Sequence, residues 1–115
     1  MKKKDINLLI TVAISLAVLI LALFLINSRK AETPDEIAQC IGEKSLLYTQ
    51  LGCHACEIQE NVFGESYQYL NKIDCYYDTN ACITANITAT PTWIINGEKY
   101  VGVQSIAELQ ELTNC

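Results

Sequence analysis

Positive charge is scarce over most of this sequence. Past residue 30 only Lys44, Lys72 and Lys99 stand against twelve acidic side chains, a net charge of about −9. A surface of that sign disfavours nucleic acid and anionic lipid, both of which are held by cationic contacts. Histidine is rarer still, occurring once, at His54. Internal repeats and low-complexity segments do not occur. Between Ile6 and Ile26 charge disappears altogether.

That last absence is a positive signal. The run INLLITVAISLAVLILALFLI, residues 6–26, has 21 positions without a charge. As a helix it spans about 30 Å, enough for one bilayer crossing. A secretory signal has a shorter apolar stretch and a small-residue cleavage site, and the following NSRKAE offers no good one. A buried core helix would need a larger domain to surround it. We read an uncleaved anchor, with a cleaved signal as the alternative. Lys2, Lys3 and Lys4 precede the run whereas Arg29 and Lys30 follow it, a bias that places the N-terminus in the cytoplasm and the rest outside the cell membrane. The chain then divides into a basic cytoplasmic N-terminus (1–5), a transmembrane anchor (6–26), a linker (27–34) and a folded domain (35–115). Fully extended, the linker reaches at most about 28 Å, which keeps the domain close to the membrane face. All six cysteines lie beyond the anchor, an even number in a small domain, as an oxidising compartment favours.

Along the domain, TPDEIAQCIGEK opens as a helix, with Thr33 as its cap, Pro34 in the first turn and Glu36 closing a capping box. Ile37, Cys40 and Ile41 share one face. SLLYT (45–49) reads as a buried strand. HACEIQENVFGESYQYL reads as a helix broken near Gly64. KIDCYY (72–77) reads as a second strand, and Asp78, Thr79 or Asn80 caps a short helix after it. PTWII and EKYVG are β-prone runs joined by Asn96-Gly97, a two-residue hairpin signal. Ser105 and Glu108 form another capping box, opening a last helix with Ile106, Leu109 and Leu112 in one stripe. The order implies a small mixed sheet with helices on both faces, an α/β (α+β) domain.

The chemistry concentrates in LGCHACE, residues 51–57, where the first strand hands over to its helix. A cysteine at a helix start faces unpaired N–H groups and the positive end of the helix dipole, and both favour the reactive thiolate. Two intervening residues let the second sulfur reach back and close a disulfide. Cys53 is therefore the expected exposed nucleophile and Cys56 the buried resolving thiol. Glu57 and Glu60 on the same helix oppose the thiolate, and His54 tunes the local field rather than acting as ligand or base. A zinc site would need two further ligands. Cys75 and Cys82 could supply them, but their six-residue gap does not match the usual knuckle spacing. A purely structural disulfide is the other competing reading. No metal or other cofactor is expected, the redox-active disulfide being sufficient.

Strand, Cys-x-x-Cys at a helix start and a later Thr-Pro before a hairpin together resemble the thioredoxin-like superfamily. CIGEKSLLYTQLGCHAC, NVFG, IDC, TPTWIINGEKYVGVQS and IAELQELTNC are similar to the thioredoxin-like domain associated with bacterial and archaeal homologues of vitamin K epoxide reductase. The resemblance covers about residues 36–115. It implies a four-stranded thioredoxin-like fold, with Thr90 and a cis Pro91 beside the active disulfide and Ala55 between His54 and Cys56. It also implies an activity: carrying electrons from the thiols of substrate proteins to a quinone-linked membrane enzyme. The sequence departs from that family at Gly52, where a tryptophan is usual, and at His54-Ala55, where Pro-His is usual. Thiol acidity and redox potential therefore do not carry over.

Related domains often have cysteines at the positions of Cys40 and Cys115. Six cysteines allow fifteen pairings, of which we expect 53–56, 40–115 and 75–82. A second relay role for Cys75 and Cys82 remains the alternative to a structural one. Trp93 is expected in the core, or else lining a substrate groove beside Pro91. The sequence leaves three readings of function: an oxidative relay, a reductase or isomerase recharged by a membrane transporter, and a non-catalytic disulfide-stapled binding module.

Overall fold

The charge-free run lies inside one helix, α1 (Lys3–Asn27), in the computed structural model, which describes residues 2–27 and 33–115. None of its residues is buried within the protein, and it is long and apolar enough to cross a membrane, as an anchor or a signal sequence would be. Its two hydroxyl side chains donate within the helix, Thr11 to the Asn7 carbonyl (2.8 Å) and Ser15 to the Thr11 carbonyl (2.9 Å). Each hydroxyl thus has a partner within the helix, as a span through hydrocarbon would require. Residues 28–32 of the expected linker lie outside the described residues. The chain divides into two compact units, 1–31 and 32–115.

The second unit begins with α2 (Asp35–Lys44). Its cap corrects the sequence reading: Pro34 occupies the N-cap position and no side chain closes it. The Thr33 hydroxyl donates instead to the Val62 carbonyl (3.3 Å), a tertiary partner that outcompetes the local one. β1 (Ser45–Thr49) follows directly, then α3 (His54–Phe63), which ends at Gly64 and continues as a 3₁₀ turn, Gly64–Tyr69. β2 (Lys72–Asp74) is shorter than the six residues expected. Asp74 stops it, because its Oδ1 accepts from the Tyr76 N–H (2.8 Å) and its carbonyl accepts from Tyr77 and Asp78, turning the chain. α4 (Thr79–Thr84) is capped by Asp78. β3 (Thr92–Ile95) and β4 (Glu98–Val101) form the hairpin through Asn96-Gly97, both at positive φ (51° and 80°) as a type I′ turn requires. α5 (Ile106–Thr113) carries the Ser105–Glu108 capping box. Those bonds from Ser105 hold the Glu108 carboxyl below the usual range.

The strands form one sheet in the order β2-β1-β3-β4, with β1 and β2 parallel and the other pairs antiparallel. A parallel pair needs a crossover, and α3 supplies it. Strand–helix–strand followed by a hairpin and a helix, around a four-stranded mixed sheet flanked by helices, is a thioredoxin-like fold. Its core joins Leu47, Trp93 and Ile95 of the sheet to Ala38, Ile41, Phe63, Leu70 and Leu109. Burying each large side chain there contributes about 1.5–3 kcal/mol. Phe63 and Trp93 meet with ring centroids 6.0 Å apart, which fixes α3 against β3.

Gly42 is buried where α2 passes the 3₁₀ turn. A β-carbon there would run into the Tyr69 carbonyl oxygen, with Leu70 Cα only 3.1 Å away. Backbone cannot swing aside as a flexible side chain can. Gly42→Ala is expected to cost about 1–3 kcal/mol by overpacking, despite alanine's better helix propensity. Thermal unfolding should show the midpoint falling by several degrees, and an unchanged or raised midpoint would mean that α2 shifts freely.

Candidate active site

After Thr49 the chain leaves β1, turns through Gln50–Gly52 and enters α3 at Cys53, whose N–H donates to the Gln50 carbonyl (3.1 Å). Gly52 has φ +80°, a left-handed conformation costly for other residues, in a turn with open space around it. The usual tryptophan would be strained at this position in this backbone. Asp74 pins the same turn from the neighbouring strand, accepting from the Leu51 N–H (3.2 Å).

Cys53 is the N-cap of α3, a position usually taken by a side-chain oxygen. Here sulfur replaces it: Cys53 Sγ accepts from the Cys56 N–H at 3.2 Å. The structure closes a disulfide between Cys53, half-buried, and Cys56, only 4 % exposed. An incoming thiolate thus meets the first sulfur, while the second is screened by the helix. Thr90 lies opposite. Its hydroxyl donates to Cys53 Sγ (3.4 Å), and its carbonyl oxygen lies 3.5 Å from the same sulfur. The Thr90–Pro91 bond is cis and Pro91 is buried. A Cys53 thiolate would therefore have two donors, the Cys56 N–H and the Thr90 hydroxyl, together with the helix start.

His54 and Ala55 complete the motif without touching the disulfide through any recorded hydrogen bond. The His54 ring is exposed, with Nδ1 3.8 Å from Glu57 Oε2, and an ion pair so open to water contributes little. Among the described residues, no group of three or more His, Cys, Asp or Glu side chains is placed to hold a metal ion. The other cysteines pair as Cys40–Cys115, joining α2 to the end of α5, and Cys75–Cys82, joining the end of β2 to α4. Cys75 also donates its N–H to the Thr49 carbonyl (2.8 Å), which holds the second disulfide near the start of the active-site turn. That disulfide, Gln50 and Thr90 line one depression.

On the other side of the cysteine pair runs an open groove of about 440 Å³. Glu57, Glu60, Tyr67, Lys72 and Asp74 line it, and of these only Glu57 and Glu60 were read from the sequence as bearing on the site. Burial pushes the Tyr67 phenol up and the Lys72 ammonium down, with Glu60 opposing the latter shift. Lys72 Nζ is held by the carbonyls of Tyr67 (2.9 Å) and Leu70 (3.0 Å), and lies 4.6 Å from the centre of the Tyr67 ring. Gln59 is a second residue missed. It is wholly buried on α3, bonded to Trp93 and Gln104. The available signal was its place three residues beyond Cys56, on the same buried side of the helix.

No family model matches the chain. Among solved structures it is similar to the oxidised thioredoxin of Plasmodium falciparum, at 19 % identity over 71 % of this chain and 90 % of that one, with a TM-score of 0.44. It is also similar to the NTD_N/C domain of the alkylhydroperoxide reductase AhpF from Enterococcus faecalis, at 19 % identity over 82 % of this chain and 51 % of that one, with a TM-score of 0.48.

Proposed function

We propose that this protein is a membrane-anchored thiol–disulfide oxidoreductase whose redox centre is Cys53–Cys56. The observation that carries this reading is the asymmetric disulfide at the start of α3, with one sulfur reachable and its partner buried. A substrate thiolate attacks Cys53 Sγ, the Cys53–Cys56 bond breaks, and Cys56 leaves as a thiolate. A second substrate thiolate then attacks the substrate sulfur of the mixed disulfide and displaces Cys53. The substrate has lost two electrons to form its disulfide, and the pair has gained them.

Reoxidation requires an acceptor. We assign this role to a quinone-linked membrane enzyme like vitamin K epoxide reductase, with the anchor crossing the cell membrane and the domain on the extracytoplasmic side. This is supported by the sequence resemblance, by lysines concentrated before the apolar run, and by the short linker expected from the sequence. Cys40–Cys115 and Cys75–Cys82 serve as structural staples in this reading.

Insulin reduction and reoxidation by the full chain in detergent test the assignment, with Cys53→Ser and Cys56→Ser alongside. Both variants should lose turnover, and after gentle reduction Cys53 should alkylate much faster than Cys56 in the parent. No turnover by the parent would make the pair a staple in a binding module, and turnover retained in both variants would place the activity at another cysteine pair. Faster alkylation of Cys56 would reverse the roles of the two sulfurs.

A further inference from the structure

Among the described residues, Gln59 is wholly buried and bonds across the fold. The Ser45 hydroxyl turns back to the Ile41 carbonyl of the preceding α2, and the Thr113 hydroxyl to the Leu109 carbonyl of its own helix. Ser66 makes one bond to the Thr33 carbonyl (2.6 Å), and Thr92 Oγ1 closes the turn around Thr90–Pro91 by donating to the Ala89 carbonyl (2.6 Å). Gln59 instead uses both ends of its carboxamide. Its Oε1 accepts from Trp93 Nε1 (3.0 Å) and from the Gln104 N–H (2.7 Å), and its Nε2 donates to the Gln104 carbonyl (3.0 Å).

These bonds close a circuit around the disulfide. Gln59 stands one turn beyond Cys56 on the helix that carries both sulfurs. Trp93 stands two residues beyond Pro91, at the base of the turn whose Thr90 hydroxyl reaches Cys53 Sγ. Gln104 belongs to the segment that also holds the Pro91 carbonyl, through the Gly102 N–H (2.8 Å). Both walls of the redox centre are therefore tied to one side chain. Burying an amide is costly unless its bonds are made, and here it also serves the buried Trp93 Nε1 and the Gln104 backbone, so stability and geometry both draw on it. What a satisfied buried network supplies is a single geometry.

We propose that Gln59 is a positioning residue for the Cys53–Cys56 pair, holding α3 against the Thr90–Pro91 turn so that the Thr90 hydroxyl reaches the Cys53 sulfur. The inference rests on the oxidoreductase reading and adds how its thiolate is kept stable. Gln59 touches neither sulfur and acts through Thr90.

Gln59→Met in the full chain, in detergent, keeps the length and removes all three bonds. The readout is the rate of Cys53 alkylation by iodoacetamide against pH, after reduction of the pair. Loss of the thiolate's hydroxyl donor should slow the reaction at neutral pH by about threefold to tenfold, with the high-pH plateau unchanged. In a Thr90→Val background the same substitution should change the rate by less than about twofold, since the two act through one contact. Trp93→Phe keeps a ring in the core and removes one of the bonds. It should shift the profile in the same direction by less, and it decides the matter if Gln59→Met does not fold. A profile that superimposes on the parent's while the melting temperature drops would overturn the proposal, as would a full effect of Gln59→Met on top of Thr90→Val. A parent whose Cys53 reacts no faster than an ordinary thiol would instead count against the redox reading itself.

Discussion

In cells carrying Cys56→Ser, the protein should accumulate as mixed disulfides through Cys53, whereas the parent shows few that survive. The expectation follows from the placement of the two sulfurs. Cys53 is the reachable sulfur at the helix start, and Cys56 is the group that would release it from a complex formed when Cys53 attacks another protein's disulfide. A thiolate held beside its target acts at an effective concentration that reaches about 10⁵ M in well-oriented cases, and no free thiol replaces it. Without it, release falls to slow external exchange. Reducing gels and peptide identification would then read out both kinds of partner, substrate proteins and the reoxidising enzyme. A captured integral membrane protein of the vitamin K epoxide reductase kind supports the oxidative relay. Capture of soluble thioredoxins or a reductant-importing transporter alone would reverse the direction of electron flow. Cys53→Ser should trap nothing.

The second large effect concerns Cys40–Cys115, which closes a separation of 75 residues. By the loop-entropy argument, opening it releases about 4.5 kcal/mol of stabilisation, and opening Cys75–Cys82 about 2.4 kcal/mol, both as upper figures. A domain this small has a total stability on the order of 5–10 kcal/mol. Cys40→Ser with Cys115→Ser should therefore leave the domain close to its unfolding midpoint at body temperature. Denaturant titration of the full chain in detergent, followed by the fluorescence of the single buried tryptophan, Trp93, measures the loss directly. A smaller loss than that of the Cys75→Ser, Cys82→Ser protein would show that the two ends of the domain are held together mainly by packing. Ile41 and Leu109, both fully buried, would be the first residues to examine.

Some elements could be read directly from the residues because their causes are local. SLLYT is a short apolar run and folds as Ser45–Thr49 without an extra residue at either end. Asn96-Gly97 supplies the two positive φ values that its hairpin turn needs, and Ser105 with Glu108 makes both bonds of the capping box. One misreading has the opposite character, and another turns on a local bond that a β-prone run conceals. Thr33 has the right chemistry for a cap, but Val62, 29 residues away, accepts its hydroxyl. The strand at Lys72 ends at Asp74 because a carboxylate can stop a ladder by accepting from the backbone beyond it. Cys53 and Cys56 were visible as a spacing. Gln59 was not, because its partners lie 34 and 45 residues further along and only the folded chain brings them to it. Lys72 and Tyr67 line the groove for the same reason.

The sheet has two open edges, and both are poor templates for another chain. β2 presents three residues, too few to seed a ladder, and Asp74 turns the backbone away at once. β4 is longer but carries Glu98 and Lys99 exposed at its start, and the Lys99 ammonium is held by the Asn86 carbonyl (2.9 Å) beside it. Charge and brevity at sheet edges are the usual defences against strand-to-strand aggregation. In the proposed role the protein would draw other chains to its surface while they are still unfolded, with their own strands unpaired, and would have particular need of them. Neutralising this edge, for example with Glu98→Val and Lys99→Thr, would leave the redox centre untouched and turn a carrier into a nucleus for its own clients' aggregation.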